Sequence, residues 1–386
     1  MRLIEGPSGV WYLGPGGTLL MPRRFHRQGA LTDEGRAELE KSQIGTPRSR
    51  RHYSLTVVTS SACNLGCPYC FQNTGVAAPG RFDPPRIPKR VLDVPMIERI
   101  IDFTTGRLAD GGYDRLFVLL FGGEPLLNRA GCRELLVRLG RLAPVSASMV
   151  TNGVLLRPRV AEELESAGLK SAQITFDGPR ELHDALRATR SGRGTFDTII
   201  ENLVAVQRET DLRLTLRLNT TAEGLPLLDD LIRGLAERLN PQRCFLDIAP
   251  VLNYADLYQD VLARSSGEVD TILAGYATAL ECGFEVAWPS GGACGFCGER
   301  DGATGAVINA DGTLYSCWET IGKDGYEVGS IEDGYQPYPP QRWVSCGEFA
   351  TEAAAPSASK AFDDALTVGL LELLRARRRE QAVARA

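Results

Sequence analysis

Histidine is scarce in this chain of 386 residues: only His26, His52 and His183 are present. Chemistry driven by histidine therefore has few residues to draw on. Lysine stands only at positions 41, 89, 170, 323 and 360, in a basic set dominated by arginine, a bias that says more about genomic composition than mechanism. No uninterrupted apolar run reaches the length needed to span a bilayer, and Met1 to Gly6 lacks a basic region followed by an apolar core. A membrane is excluded as partner, and a cytoplasmic location is expected. Formal net charge is -5, with basic residues dispersed except near the C-terminus, so nucleic acid is not an expected partner either.

Cysteine, by contrast, is plentiful. Ten cysteines in a cytosolic chain read as metal ligands and buried thiols rather than disulfides. Three of them, Cys63, Cys67 and Cys70, crowd into eight residues directly after an apolar run that reads as a strand. Thiolates are soft ligands for zinc or iron–sulfur clusters, and three on one loop can hold three irons of a cubane and leave the fourth open. A zinc knuckle completed by one distant ligand is the plainer alternative. Cys132, Cys244 and Cys282 lie in helix or strand patterns and read as small buried hydrophobes.

The chain length suits one barrel with an appended module. From Leu55 onward strand and helix patterns alternate. Strands are expected at Leu55–Thr59, Leu116–Phe121, Ala147–Thr151, Ala172–Phe176, Arg213–Asn219 and Cys244–Ala249. Between them run helical stripes such as Ile97/Ile100/Ile101, Leu135/Leu136/Leu139, Ile199/Ile200/Leu203 and Leu228/Leu231/Ile232/Leu235. Six right-handed βα units make an α/β fold, an open partial (β/α)6 TIM barrel, with function at the strands' C-terminal ends. The cysteine loop occupies such a position. Residues 1–53 read as an accessory cap packed over the barrel's end: a hairpin of Val10–Leu13 and Thr18–Met21, then a short helix from Thr32. Residues 54–285 form the barrel, 286–350 an auxiliary module, and 351–386 a linker and a final helix. Gly75–Pro95, rich in Pro, Gly and Arg, reads as a surface loop near the site's mouth.

Supporting motifs follow the loop. After the second strand stands Gly122-Gly123-Glu124-Pro125; the third ends in Thr151-Asn152-Gly153; the fourth in Thr175-Phe176-Asp177-Gly178-Pro179, followed by His183, Asp184 and Arg187. Glycines let a backbone approach a ligand closely, a carboxylate accepts hydrogen bonds from an ammonium, and a guanidinium pairs a carboxylate through two bonds. Arg187 could equally serve as an ion-pair partner of Asp177 or Asp184. His183 reads as a structural loop residue.

The Cys-x3-Cys-x2-Cys loop with an aromatic before its last cysteine resembles the signature of the radical S-adenosylmethionine (SAM) superfamily. The downstream motifs are similar to those of its peptide- and protein-modifying members, with Thr175 in place of the usual serine. The resemblance implies a [4Fe-4S] cluster on Cys63, Cys67 and Cys70, with SAM on its open iron. Reductive cleavage then yields a 5′-deoxyadenosyl radical that abstracts hydrogen from carbon. It also implies cofactor contacts from Tyr69, Gly122, Gly123, Glu124, Asn152, Thr175 and Arg187, and a reductant protein, flavodoxin or ferredoxin.

In the C-terminal third, Asn309-Ala310-Asp311-Gly312 is a hairpin turn that brings Cys317 back toward Cys294 and Cys297. Cys297, Gly312 and Cys317 resemble the start of the SPASM auxiliary-cluster domain; its second half is absent and only Cys346 remains. Four cysteines, Cys294, Cys297, Cys317 and Cys346, suit one auxiliary [4Fe-4S] cluster, as in the shortened domain called Twitch, or a structural zinc. The resemblance implies a ribosomal-peptide maturase that installs a crosslink, its peptide delivered in some cases by a separate leader-binding protein. Its rivals are a sulfatase-type maturase that oxidises serine or cysteine, a small-molecule dehydrogenase or cyclase, and a zinc-stabilised scaffold. The sulfatase-type enzymes carry an aspartate directly after the cysteine matching Cys317; here that residue is Trp318. The final helix, through Leu366, Leu370, Leu373 and Leu374, runs into Arg375 to Arg379, whose charge suits a helix C-terminus.

Overall fold

A computed structural model describes residues 1–27, 29–46, 51–70, 72, 87–251, 260–289, 301–344 and 356–384. The chain opens with an antiparallel sheet of β1 (Arg2–Gly6), β2 (Gly9–Gly14) and β3 (Gly17–Met21), in which the expected hairpin gains a strand. A two-residue pair, β4 (His26–Arg27) with β5 (Ala30–Leu31), leads to helix α1 (Asp33–Ser42). Thr32 caps α1 by accepting the Gly35 N–H at 3.1 Å. Gly35 is tolerated because a Cβ there would stand 2.8 Å from the Phe25 carbonyl oxygen.

The barrel strands are β6 (His52–Ser60), β7 (Arg115–Gly122), β8 (Val145–Thr151), β9 (Leu169–Phe176), β10 (Arg213–Thr220) and β11 (Cys244–Pro250). Each contains the run expected to form it. They pair in parallel and in sequence order, linked by α2 (Val94–Gly111), α3 (Arg129–Leu142), α4 (Pro158–Ser166), α5 (Arg180–Leu186), α6 (Phe196–Glu209) and α7 (Leu228–Arg238), with α8 (Ser266–Glu281) after β11. Helix placement follows the apolar stripes: Met96, Ile97 and Ile100 of α2, and Leu135, Leu136 and Leu139 of α3, are buried against the sheet. Truncating one of these to alanine costs about 2–5 kcal/mol. Asp93 accepts the Met96 N–H to start α2, and Gly112, at φ 64°, ends it.

Among the described residues the barrel does not close: β11 and β6 do not pair, and β12 (Gly305–Ile308) joins the other edge of β6 in parallel, with antiparallel β13 (Thr313–Tyr315), β14 (Glu327–Ser330) and β15 (Gly334–Tyr335) continuing the sheet to ten strands. The β12–β13 turn is the expected one, with Gly312 at φ 84° donating to the Asn309 carbonyl at 3.0 Å. Helix α9 (Pro356–Ala384) starts inside the stretch expected to be linker and continues past Arg379. A proline at a helix start gives up no intrahelical bond. α9 packs on α8, and the N-terminal sheet docks on α9: Ile4, Trp11 and Leu13 bury against Val368 and Leu371. Among the described residues, no helix is long and apolar enough to cross a membrane.

Candidate active site

Polar groups gather at the C-terminal ends of β6 to β10. The cysteine loop leaves β6 and is laced onto the segment after α5: Gly66 N–H donates to the Ala188 carbonyl at 3.2 Å, Arg190 N–H to that of Asn64 at 3.1 Å, and Arg190 Nε to that of Cys63 at 2.8 Å. From the other side, Gly123 and Glu124 donate their N–H groups to the Ser60 and Ala62 carbonyls at 3.0 and 2.8 Å. Gly122, at φ 138°, and Gly123 have no room for a side chain: a Cβ would sit 2.1 Å from Ser60 O and 2.5 Å from Ala62 O, respectively. The double glycine thus lets β7 close on the cysteine loop itself. Of the proline-rich loop, residues 73–86 lie outside the described residues, while Arg90 and Leu92 run beside the end of β6, bonded to Ser61 and Thr59.

Cys63, Cys67 and Cys70 form no disulfide among the described residues. Burial pushes the Cys63 thiol up to about 11 and that of Cys67 up to about 12, with Arg187 opposing both. Metal binding at these thiols must therefore release protons. Among the described residues, no three Cys, His, Asp or Glu side chains stand close enough together to hold a single metal ion.

Glu124 is wholly buried and binds the motifs to one another. Its Oε1 accepts the Leu126 N–H at 3.0 Å and the Thr151 hydroxyl at 2.8 Å, and its Oε2 accepts the Asn152 N–H at 2.8 Å. Burial raises its pKa against these bonds. Asn152 reaches onward, donating through Nδ2 to Asn64 Oδ1 at 2.8 Å, with Cys63 Sγ 3.9 Å away.

A second network lies under Tyr69. Its hydroxyl donates to Asp177 Oδ2 at 2.5 Å and accepts from Arg187 Nη1 at 2.9 Å and Asn219 Nδ2 at 3.1 Å. Arg187 and Asp177 form the ion pair, at 3.8 Å. Among the described residues, buried Asp177 Oδ1 and Arg187 Nε have no hydrogen-bond partner, leaving an acceptor and a donor at one place. Asp184 instead accepts the Thr195 and Phe196 N–H groups at the start of α6. His183 is buried: its Nδ1 accepts the Asp177 N–H at 3.4 Å, so its Nε2 carries the proton shared with Thr195 Oγ1 at 3.1 Å. Burial lowers its pKa to about 3, which keeps it neutral and structural.

Thr175 is buried near the end of β9, in register with Arg217 of β10, which itself pairs with Asp247 of β11 at 2.8 Å. Sequence reasoning passed over Arg217, Asn219 and Asp247. Their signal was polarity at alternate positions of otherwise apolar strands, which marks the concave face. Asn64, the partner of Asn152, carried no such signal.

Of the four C-terminal cysteines, Cys294, Cys297 and Cys346 lie outside the described residues, while Cys317 is buried. Residues Trp318–Thr320 form a 3-10 turn rather than a continuing strand, and Trp318 stacks on Phe121 of β7 with ring centroids 5.8 Å apart. Lys323, also unanticipated, joins this region to the cysteine loop: burial lowers its pKa to about 8, while nearby Glu319, Cys70 and Cys317 favour its charge.

Comparison with known proteins bears on this arrangement. Residues 57–214 match the family model described as the radical SAM superfamily. The chain is 32% identical over 190 residues to a GTP 3′,8-cyclase of Rhodopirellula baltica, an alignment covering 49% of this chain and 45% of the relative. It is 28% identical over 194 residues to the radical SAM cyclopropyl synthase TigE of Paramaledivibacter caminithermalis, covering 46% and 39%. It is 27% identical over 208 residues to the mycofactocin maturase MftC of Mycolicibacterium smegmatis, covering 54% and 47%. The chain thus spans less than half the length of each of these relatives. A solved structure described as native anSMEcpe with bound AdoMet superposes with a TM-score of 0.64 at 16% identity, covering 84% of this chain and 98% of that one, which establishes a common fold.

Proposed function

We infer from the match of residues 57–214 to the radical SAM superfamily model that the chain is a SAM-cleaving iron–sulfur enzyme, and we propose that it oxidatively modifies a ribosomally made peptide by installing a crosslink. The observation that carries the reading is the clamp of Glu124 on Thr151 and Asn152, with Asn152 in turn bonded to Asn64 inside the cysteine loop. A zinc scaffold has no use for it.

The residues present fit the family's cofactors. Three cysteines outside any disulfide on one loop are a donor set for a [4Fe-4S] cluster, and Arg187 Nε and Asp177 Oδ1, without hydrogen-bond partners among the described residues, suit the carboxylate and ammonium of an amino acid. In this reading Cys63, Cys67 and Cys70 hold the cluster, while Tyr69, Gly122, Gly123, Glu124, Asn152, Thr175 and Arg187 surround SAM. When bound, the two cofactors supply a 5′-deoxyadenosyl radical able to abstract hydrogen from an unactivated carbon. Glu124 keeps Asn152 oriented, Arg190 ties down the Cys63 backbone, and Arg187 offers positive charge beside Cys67. The concave face with Thr175, Arg217 and Asp247 positions the substrate carbon and limits access of water.

Cys294, Cys297, Cys317 and Cys346 are proposed to hold one auxiliary cluster, which when bound would supply an electron acceptor for a net two-electron oxidation. A flavodoxin or ferredoxin would supply the reducing electron, and a separate leader-binding protein could deliver the peptide. The relative named mycofactocin maturase supports a peptide substrate; the relative named GTP 3′,8-cyclase supports a small-molecule reading as runner-up. Sulfatase-type oxidation stands lower, because Trp318, stacked on Phe121, occupies the position of the expected base.

The test is anaerobic turnover of the reconstituted chain with a peptide encoded beside its gene, read by mass spectrometry. Loss of two hydrogens with a new intrapeptide link supports the proposal. SAM cleavage that leaves every such peptide unchanged but consumes a nucleotide would replace it with the small-molecule reading.

A further inference from the structure

The arginines near the C-terminus have no role in the site above, and the helix dipole does not explain them. α9 runs on to Ala384, so Arg375, Arg378 and Arg379 stand before its last turn, whereas the dipole's influence is confined to that turn. They line a cavity of about 730 Å3 between α9 and the N-terminal sheet, together with Trp11, Thr18 and Trp288. None of its lining residues belongs to the cysteine loop or to the strand ends around it, and none is acidic.

The charges there are unequally satisfied. Glu372, beside the cavity, accepts the Trp11 indole N–H at 3.0 Å and pairs with Arg375 at 3.4 Å. Arg378 lies over the Trp288 ring, 4.2 Å from its centroid. Among the described residues, neither Arg378 nor Arg379 has an acidic partner, and both are exposed. Of the three guanidiniums lining the cavity, only that of Arg375 has a carboxylate partner among the described residues, and two indoles stand beside them.

We propose that this cavity binds an acidic, apolar-containing segment of the peptide on which the enzyme acts, at a distance from the reacting carbon; the proposal rests on the peptide reading. Guanidinium forks take carboxylates through paired hydrogen bonds, and indole faces take apolar side chains. The volume exceeds what one inorganic anion fills, and several side chains fit. Nucleic acid would need a basic track beyond the cavity, and a chain of net charge -5 with dispersed basic residues does not provide one. Binding the segment here would tether the peptide while its reactive part explores the barrel mouth, raising the local concentration there.

The test uses the full chain and a fluorescent, capped heptapeptide of alternating acidic and apolar residues, followed by anisotropy. Saturable binding is expected, weakened about tenfold, or about 1.4 kcal/mol, by replacing Asp and Glu in the probe with Asn and Gln. A similar loss is expected for the double variant Arg378→Gln with Arg379→Gln, checked for folding by its denaturation midpoint, while Arg378→Lys, which keeps the charge but not the fork, weakens binding less than Arg378→Gln. Equal affinity for acidic and neutral probes, or an unweakened double variant, overturns the proposal, as does tighter binding of a thymidine oligonucleotide of equal charge. Acidic-probe binding lost in the double variant, with no peptide ever modified, leaves the site standing and removes the peptide-modifying reading; peptide modification without acidic-probe binding removes the site alone.

Discussion

Glu124 and Asn152 are joined through the backbone: the Asn152 N–H donates to Glu124 Oε2 at 2.8 Å, although the two residues stand on successive strand ends. This bond couples the double-glycine turn after β7 to the turn after β8. Glu124→Gln offers one oxygen where two are used and turns an amide donor toward a donor. We expect a loss of about 1–3 kcal/mol in stability, read by urea denaturation, together with weaker SAM binding. An unchanged midpoint would show that the clamp is not made as described.

Gly123→Ala tests the closeness of β7 to the cysteine loop. Its Cβ would meet the Ala62 and Ser61 carbonyl oxygens at 2.5 and 2.6 Å, so the loop must shift. The expected outcome is a folded protein that retains less iron after reconstitution than the wild type; full iron loading would contradict it.

The network under Tyr69 supports a further contrast. Tyr69→Phe removes the donor to Asp177 Oδ2 and the acceptor for Arg187 and Asn219, at an expected cost of about 1–3 kcal/mol. Arg187→Met leaves the buried Asp177 carboxylate without its cation, and about 3–5 kcal/mol is expected to be lost. If Arg187 also meets SAM, the KM for SAM rises in Arg187→Lys more than stability falls. A parallel change in both would restrict Arg187 to structure.

Acid should weaken the fold through His183. Its pKa is about 3 in the folded chain and about 6.5 when exposed, so below pH 6.5 the unfolded chain binds the extra proton. Its contribution is complete above that pH and is lost progressively toward pH 3, by up to about 1.4 kcal/mol per unit. Denaturation of wild type and His183→Gln at pH 7, 6 and 5 should show the steeper loss in the wild type. Parallel slopes would mean that His183 is not buried neutral.

The barrel was legible because its strands and helices carry different periods: Leu214, Leu216 and Leu218 alternate along β10, and Leu228, Leu231, Ile232 and Leu235 repeat helically on α7. The cysteine loop and the glycine turn were legible as local patterns. Asn219, Arg217 and Asp247 were not, since what they do depends on strand register: Arg217 faces Asp247 and Thr175 only once β9, β10 and β11 align. The length of α9 was missed because Ala- and Ser-rich sequence reads as linker, yet alanine also favours helix once one face is packed, here Leu370, Leu371 and Leu374. The site of docking for the N-terminal sheet was hidden likewise, as contacts such as Trp11 with Glu372 join residues far apart in the chain.

The central claim, that Cys63, Cys67 and Cys70 hold a cluster used to cleave SAM, is tested most directly by reductant-dependent 5′-deoxyadenosine formation in the anaerobically reconstituted chain, beside the triple variant Cys63→Ala, Cys67→Ala, Cys70→Ala. The account predicts SAM cleavage by the wild type, with about eight irons per chain, and none by the variant, which retains about four irons on its auxiliary site. A wild-type protein that carries zinc and forms no 5′-deoxyadenosine would contradict it.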